Sequence, residues 1–117
     1  MNSNFQLLDK TEKLVNEISK LMDNYPKKNY VLSNNIEKTM YEMIESIFYF
    51  QCNKKDRIRM KYIKEYIVKL SMFDFYINLS YRKRIISEKC FLSTGKKITE
   101  LRKIAYGIVR SENNEEE

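Results

Sequence analysis

Apolar residues recur at helical spacing along most of this chain, and nowhere do they alternate with polar ones as a strand requires. From about Phe5 to Asn24, Leu7, Leu8, Thr11, Leu14, Val15, Ile18, Leu21 and Met22 share one face. Asp9, Lys13, Glu17 and Lys20 occupy the opposite one, at spacings that favour ion pairs. A second pattern runs from about Asn29 to Cys52, with Leu32, Ile36, Met40, Met43, Ile44, Ile47 and Phe48 as its stripe. A third covers roughly Asp56 to Lys83 and a fourth roughly Glu88 to Arg110, the last lined by Phe91, Ile98, Leu101, Ile104, Ala105, Ile108 and Val109. The punctuation agrees. Tyr25-Pro26 ends the first helix, because proline disfavours helical geometry in the residue before it. Asn53-Lys54-Lys55-Asp56 reads as a polar turn with Asp56 as N-cap, and Ser87 as the N-cap of the last helix. Gly95 and Gly107 sit inside the fourth pattern at a cost of about 1 kcal/mol each, and close helix contact is one reason to tolerate them. Four amphipathic helices with short connections predict an all-α fold, an antiparallel up-down-up-down four-helix bundle over residues 1–110. Residues 111–117 are predicted to form an acidic, disordered tail.

The third helix carries more apolar surface than a bundle needs. Ile63, Tyr66, Ile67, Leu70, Phe73, Ile77 and Tyr81 form one stripe. Val68, Met72, Phe75 and Leu79 form another, more than a quarter turn away. One stripe seals a core, so the second is predicted to be an interface between copies of the chain. Asp74 falls between Leu70 and Ile77 on the core-facing side and reads as a polar latch. A buried carboxylate must be paired, and its expected partner is a lysine, arginine or tyrosine hydroxyl of another helix or subunit.

Charge and chemistry narrow the function. The 117 residues hold 22 Lys and Arg against 16 acids, a net +6. Glu112, Glu115, Glu116 and Glu117 all lie in the tail, and setting them aside leaves 22 against 12, or +10, on the body. The cations cluster: Lys54, Lys55, Arg57, Arg59, Lys61 and Lys64 open the third helix, and Arg82, Lys83 and Arg84 close it. Lys96, Lys97, Arg102, Lys103 and Arg110 run along the fourth. Tyr25, Tyr30, Tyr49, Tyr62 and Tyr106 interleave with them as candidates for stacking on bases. Without a base-reading motif, such clusters predict sequence-independent phosphate contact with RNA or DNA. Scattered lysines are also the ordinary dress of a solvated surface.

Catalytic candidates are scarce. The chain has no histidine, the commonest general base and metal ligand, and no glycine-rich phosphate loop or CxxC pair. Cys52 and Cys90 are too few and too isolated for a disulfide scaffold or zinc site and fit a reducing cytoplasm. No apolar run approaches the ~18 residues of a membrane span, and the first residues lack a signal-peptide pattern. The expectation is a cytoplasmic, non-catalytic protein with no cofactor or metal and no membrane partner.

Short motifs add a resemblance. Tyr25-Pro26-Lys27-Lys28-Asn29-Tyr30-Val31-Leu32, followed by Ile36, resembles the FPK-x-x-(R/K)-Y-x-L opening of the second helix in a bacterial four-helix-bundle family. Ser87-Glu88-Lys89 and the run Thr99 to Gly107 resemble its closing helix, usually written E-I-G-(R/K)-M-L-x-G-W. Arg102 stands where that helix has glycine, and Ile108 where tryptophan is common. The family holds proteins encoded in ribosomal RNA intervening sequences and the accessory variability determinant (Avd) proteins of diversity-generating retroelements. The resemblance spans about residues 5–110, and the long aromatic-rich third helix and basic balance look more like the Avd branch. It implies a homopentameric barrel that binds a reverse transcriptase and nucleic acid and supports mutagenic cDNA synthesis without being catalytic. Two other readings stand beside it: an intervening-sequence-type bundle, and a small regulator whose basic surface binds an acidic protein.

Overall fold

The computed structural model describes residues 3–54 and 57–116. Within them lie four helices: α1 (Ser3–Met22), α2 (Tyr30–Cys52), α3 (Arg57–Arg82) and α4 (Glu88–Glu116). A 3-10 turn, Lys27–Asn29, leads into α2. No strand occurs among the described residues. Each helix packs against its neighbours in the chain, and α1 packs on α4 to close an all-helical bundle measuring 49 × 23 × 20 Å.

The predicted stripes meet in the centre. Leu7, Leu14 and Ile18 of α1 pack with Ile36, Met40, Met43 and Ile47 of α2, Ile63, Leu70, Phe73 and Ile77 of α3, and Ile98, Leu101 and Ala105 of α4. Among the described residues, every buried polar side-chain atom has a hydrogen-bond partner. Thr11 Oγ1 donates to the Leu7 carbonyl at 2.6 Å and lies 2.8 Å from the hydroxyl of Tyr66, which is fully buried. Since the threonine proton is already used, the Tyr66 phenol is the donor of that second bond. At the other end, the Tyr25 hydroxyl donates to Ser80 Oγ at 2.8 Å, and Ser80 donates to the Tyr76 carbonyl. Tyr25 is therefore packed against the core and is not a stacking surface for bases.

The ends of α3 and α4 show why the chain reverses where it does. Arg84 N–H bonds to the Tyr81 carbonyl and Ile85 N–H to that of Ser80, with Arg84 left-handed at φ 61°. This is the paired arrangement that satisfies the last carbonyls of a helix. Ser87 Oγ then accepts from the Cys90 N–H at 3.1 Å, the N-cap its position predicts. The proposed Asp56 cap lies outside the described residues.

Three expectations need correction. Phe48 is exposed, and Phe50 takes the core position instead, continuing the 4-3-4-3 spacing of Ile36, Met40, Met43 and Ile47. Helix α4 continues through Glu116, so residues 111–116 are helical where a disordered tail was expected, and Glu112 among them is buried. Close helix contact does not explain the glycines. A Cβ at Gly95 would meet nothing within 4 Å, and one at Gly107 only an Arg110 side-chain nitrogen at 3.8 Å. Gly95→Ala is accordingly expected to stabilise the bundle by about 1 kcal/mol, raising the melting temperature by roughly 4 °C. A lower melting temperature for the alanine variant would refute this.

Candidate assembly and polyanion surfaces

The outward face of α3 is built by the helix period alone. Residues 57, 61, 64, 68, 75 and 82 recur at spacings of four, three and seven, so Arg57, Lys61, Lys64, Val68, Phe75 and Arg82 share one side, and all are exposed. Val68 is 61% exposed, Met72 40% and Phe75 50%. The predicted second stripe thus stands in solvent in this single chain, with cations at both ends. Leu79 differs: it is partly buried against the core and belongs to the edge of the stripe.

Beside this face, α2 brings carboxylates. Glu42 pairs with Lys69, whose hydrogen bond to that carboxylate, reinforced by the charges around it, holds its ammonium above the ordinary lysine range. Lys61 reaches Glu65 at 3.9 Å, and Glu45 lines the same groove as Arg57, Lys64 and Val68. Charge here is mixed rather than purely basic. Tyr49 and Tyr62 stack with ring centroids 4.8 Å apart across the α2–α3 seam. Tyr30, Tyr41 and Phe48 of α2 are exposed as well. Only Tyr30 among these three was a surface candidate; Tyr41 and Phe48 stand seven apart on the side of α2 away from its core stripe, a spacing visible in the sequence.

Arg59, expected as a phosphate contact, is engaged within the bundle. Its side chain is largely buried, and Nε bonds to Glu112 Oε1 at 3.2 Å. Nη1 donates to the carbonyls of Phe50 at 3.1 Å and Asn53 at 2.9 Å, and the guanidinium lies 3.9 Å from the centroid of the Phe50 ring. One arginine therefore covers open carbonyls at the end of α2 and ties α3 to the last turns of α4. Glu112 does not oppose a polyanion freely, because it is held by Arg59.

Asp74 has the kind of partner expected and less burial. Arg102 Nη2 of α4 lies 3.7 Å from Asp74 Oδ2, Asn78 donates to Oδ1 at 3.1 Å, and both charged side chains are about one-third exposed. Such a pair contributes little to stability, on the order of 1 kcal/mol or less. The role of a buried latch passes from Asp74 to the Arg59–Glu112 pair.

The remaining cations divide in two groups. Lys97 is engaged by Glu17, and Lys10 of α1 reaches Glu100 at 2.7 Å, so both pairs link α1 to α4. Arg82, Lys83 and Arg84 are exposed at the end of α3, and Lys96, Lys103 and Arg110 on the outer side of α4. Among the described residues, no group of three or more His, Cys, Asp or Glu side chains is placed to hold a metal ion, and no helix is long and apolar enough to cross a membrane.

No protein-family model matches the sequence, and no curated protein matches it. Among solved structures, the chain is similar to a protein of unknown function from the S23 ribosomal protein family of Bacteroides thetaiotaomicron. The two share 14% identity with a TM-score of 0.84, over 92% of this chain and 98% of that one. At that identity the likeness is one of fold: the chain has the four-helix architecture of that protein.

Proposed function

We propose that this chain is a non-catalytic accessory protein of a diversity-generating retroelement, which binds its reverse transcriptase and RNA or DNA through a basic surface repeated in a homo-oligomer. In this reading the helices run up-down-up-down and five copies close into a barrel. The observation that carries it is the outward face of α3, where Val68, Met72 and Phe75 stand exposed between Arg57, Lys61 and Lys64 on one side and Arg82 on the other. Burying that stripe between copies removes apolar surface from water and brings several sets of cations around one axis. The sequence resemblance to the Avd branch supplies the reverse transcriptase as partner.

The fold likeness to a member of the S23 ribosomal protein family favours a second reading, an intervening-sequence-type bundle associated with RNA. Position of the gene separates the two. An adjacent reverse transcriptase gene supports the first, and a place inside a ribosomal RNA gene the second.

Light scattering on the purified protein tests assembly directly. The wild type is expected at a multiple of 14.2 kDa, five-fold in the barrel reading. Met72→Glu and Phe75→Glu are expected to lower that mass to the monomer while helical circular dichroism stays intact. A wild-type monomer at micromolar concentration overturns the scaffold. Failure to co-purify with a co-expressed cognate reverse transcriptase overturns the partner.

A further inference from the structure

Helix α4 carries a second exposed face that the assembly stripe does not use. Lys96, Thr99, Lys103, Tyr106 and Arg110 fall at i, i+3, i+7, i+10 and i+14, a single line along the outer side of the helix, and all five are exposed. The three cations stand seven residues apart, or about 10 Å at the helix rise. Tyr106, 46% exposed, sits between Lys103 and Arg110. A shallow depression along this line is lined by Thr99, Arg102, Lys103, Tyr106 and Arg110. Among the described residues no carboxylate lines it, whereas the groove beside α3 carries Glu42, Glu45 and Glu65. Two acids of α4 are engaged elsewhere, Glu100 by Lys10 and Glu112 by Arg59.

We propose that the outer face of α4 is a binding site for an unpaired nucleic-acid strand, in which one base stacks on Tyr106 while Lys103 and Arg110 hold the phosphates to either side. This rests on the nucleic-acid reading above and adds a preference that phosphate contact alone does not supply. A positively charged line with an exposed ring set into it is the arrangement that tracks a single strand, because every unpaired base offers a free π-face. In a duplex those faces are covered by neighbouring base pairs, so a duplex meets only the cations. Arg102, held near Asp74, is placed to contribute charge without reaching as far out.

The test is fluorescence anisotropy at low salt with a labelled unstructured oligothymidylate and a labelled duplex of the same length. Tyr106→Ala is expected to weaken binding of the single strand by about 5- to 150-fold, the range of base–aromatic stacking, and to leave duplex binding unchanged. Tyr106→Phe retains the ring and should bind like wild type. Lys103→Ala combined with Arg110→Ala should weaken both ligands and reduce the salt slope by about 1.5. Equal loss for strand and duplex, or no loss in Tyr106→Ala, overturns the stacking site while the phosphate reading survives. Wild type that binds neither ligand at low salt overturns both. Polyglutamate that displaces the strand as readily as unlabelled oligothymidylate of equal charge shows a surface for an acidic protein and overturns the site.

Discussion

Arg59→Ala is expected to lower the stability of the bundle by about 3 kcal/mol, measured by urea denaturation followed by circular dichroism. Three losses add together. Glu112 is left as a buried carboxylate without its guanidinium, the carbonyls of Phe50 and Asn53 lose their donor, and the face of Phe50 loses its cover. Against a typical total of 5–15 kcal/mol, that is a large fraction. Arg59→Lys should recover little, since an ammonium cannot serve a carboxylate, two carbonyls and a ring in one plane. Arg59→Met combined with Glu112→Leu should lie closer to wild type than Arg59→Ala, because no charge is then stranded. If Arg59→Ala stays within about 0.5 kcal/mol of wild type, the clamp has no structural weight.

The second large effect concerns Tyr66. Tyr66→Ala opens a cavity at the meeting point of α1 and α3 and should cost roughly 4 kcal/mol. Tyr66→Phe keeps the ring and loses only the bond to Thr11, about 1 kcal/mol at neutral pH. Burial pushes the Tyr66 phenol well above its ordinary value of 10.0. The folded state therefore resists losing that proton while the unfolded chain does not. The contribution of the phenol is present in full below about pH 10 and declines above it, by up to about 1.4 kcal/mol per pH unit. Wild type should be the more stable protein at pH 8, and Tyr66→Phe should match or exceed it near pH 11. Parallel stability curves for the two across that range would show that Tyr66 ionises as easily folded as unfolded. The raised Lys69 acts in the same direction in both proteins and so cancels in the comparison.

Local pattern made the helices legible. Proline after Tyr25, serine at position 87 and the apolar spacing place the helix ends within a few residues, apart from the extension of α4. The stripes of α1 and α3 agree with the buried set because a stripe is a property of one helix at a time. Phe48 is only the apolar neighbour of Ile47, whereas Phe50 continues the spacing three residues on and is the one buried. The clamp was legible by the same rule. Arg59 continues the series 63, 66, 70, 73 and 77 backwards, and Glu112 continues 98, 101, 105 and 108 forwards, so a cation and a carboxylate extend two core stripes. What single-helix patterns do not carry is the register between helices. That register assigns Lys97 to Glu17, Lys69 to Glu42 and Arg102 to Asp74, and thereby sets which cations remain available to a polyanion.

The reversal between α3 and α4 bears on how freely this sequence can drift. Arg84 occupies the left-handed position at which glycine is cheapest, while the glycines of the chain stand inside α4, where alanine is preferred. An arginine held there costs on the order of 1 kcal/mol, and each interior glycine about as much. The backbone could therefore support a sequence roughly 3 kcal/mol more stable than this one, with no change of fold. A chain so placed sits near its threshold rather than its optimum, and a typical substitution costs about 1 kcal/mol. Substitutions at these three positions would restore what two or three surface changes remove, which leaves the exposed faces of α3 and α4 free to diverge while the interior stays as it is.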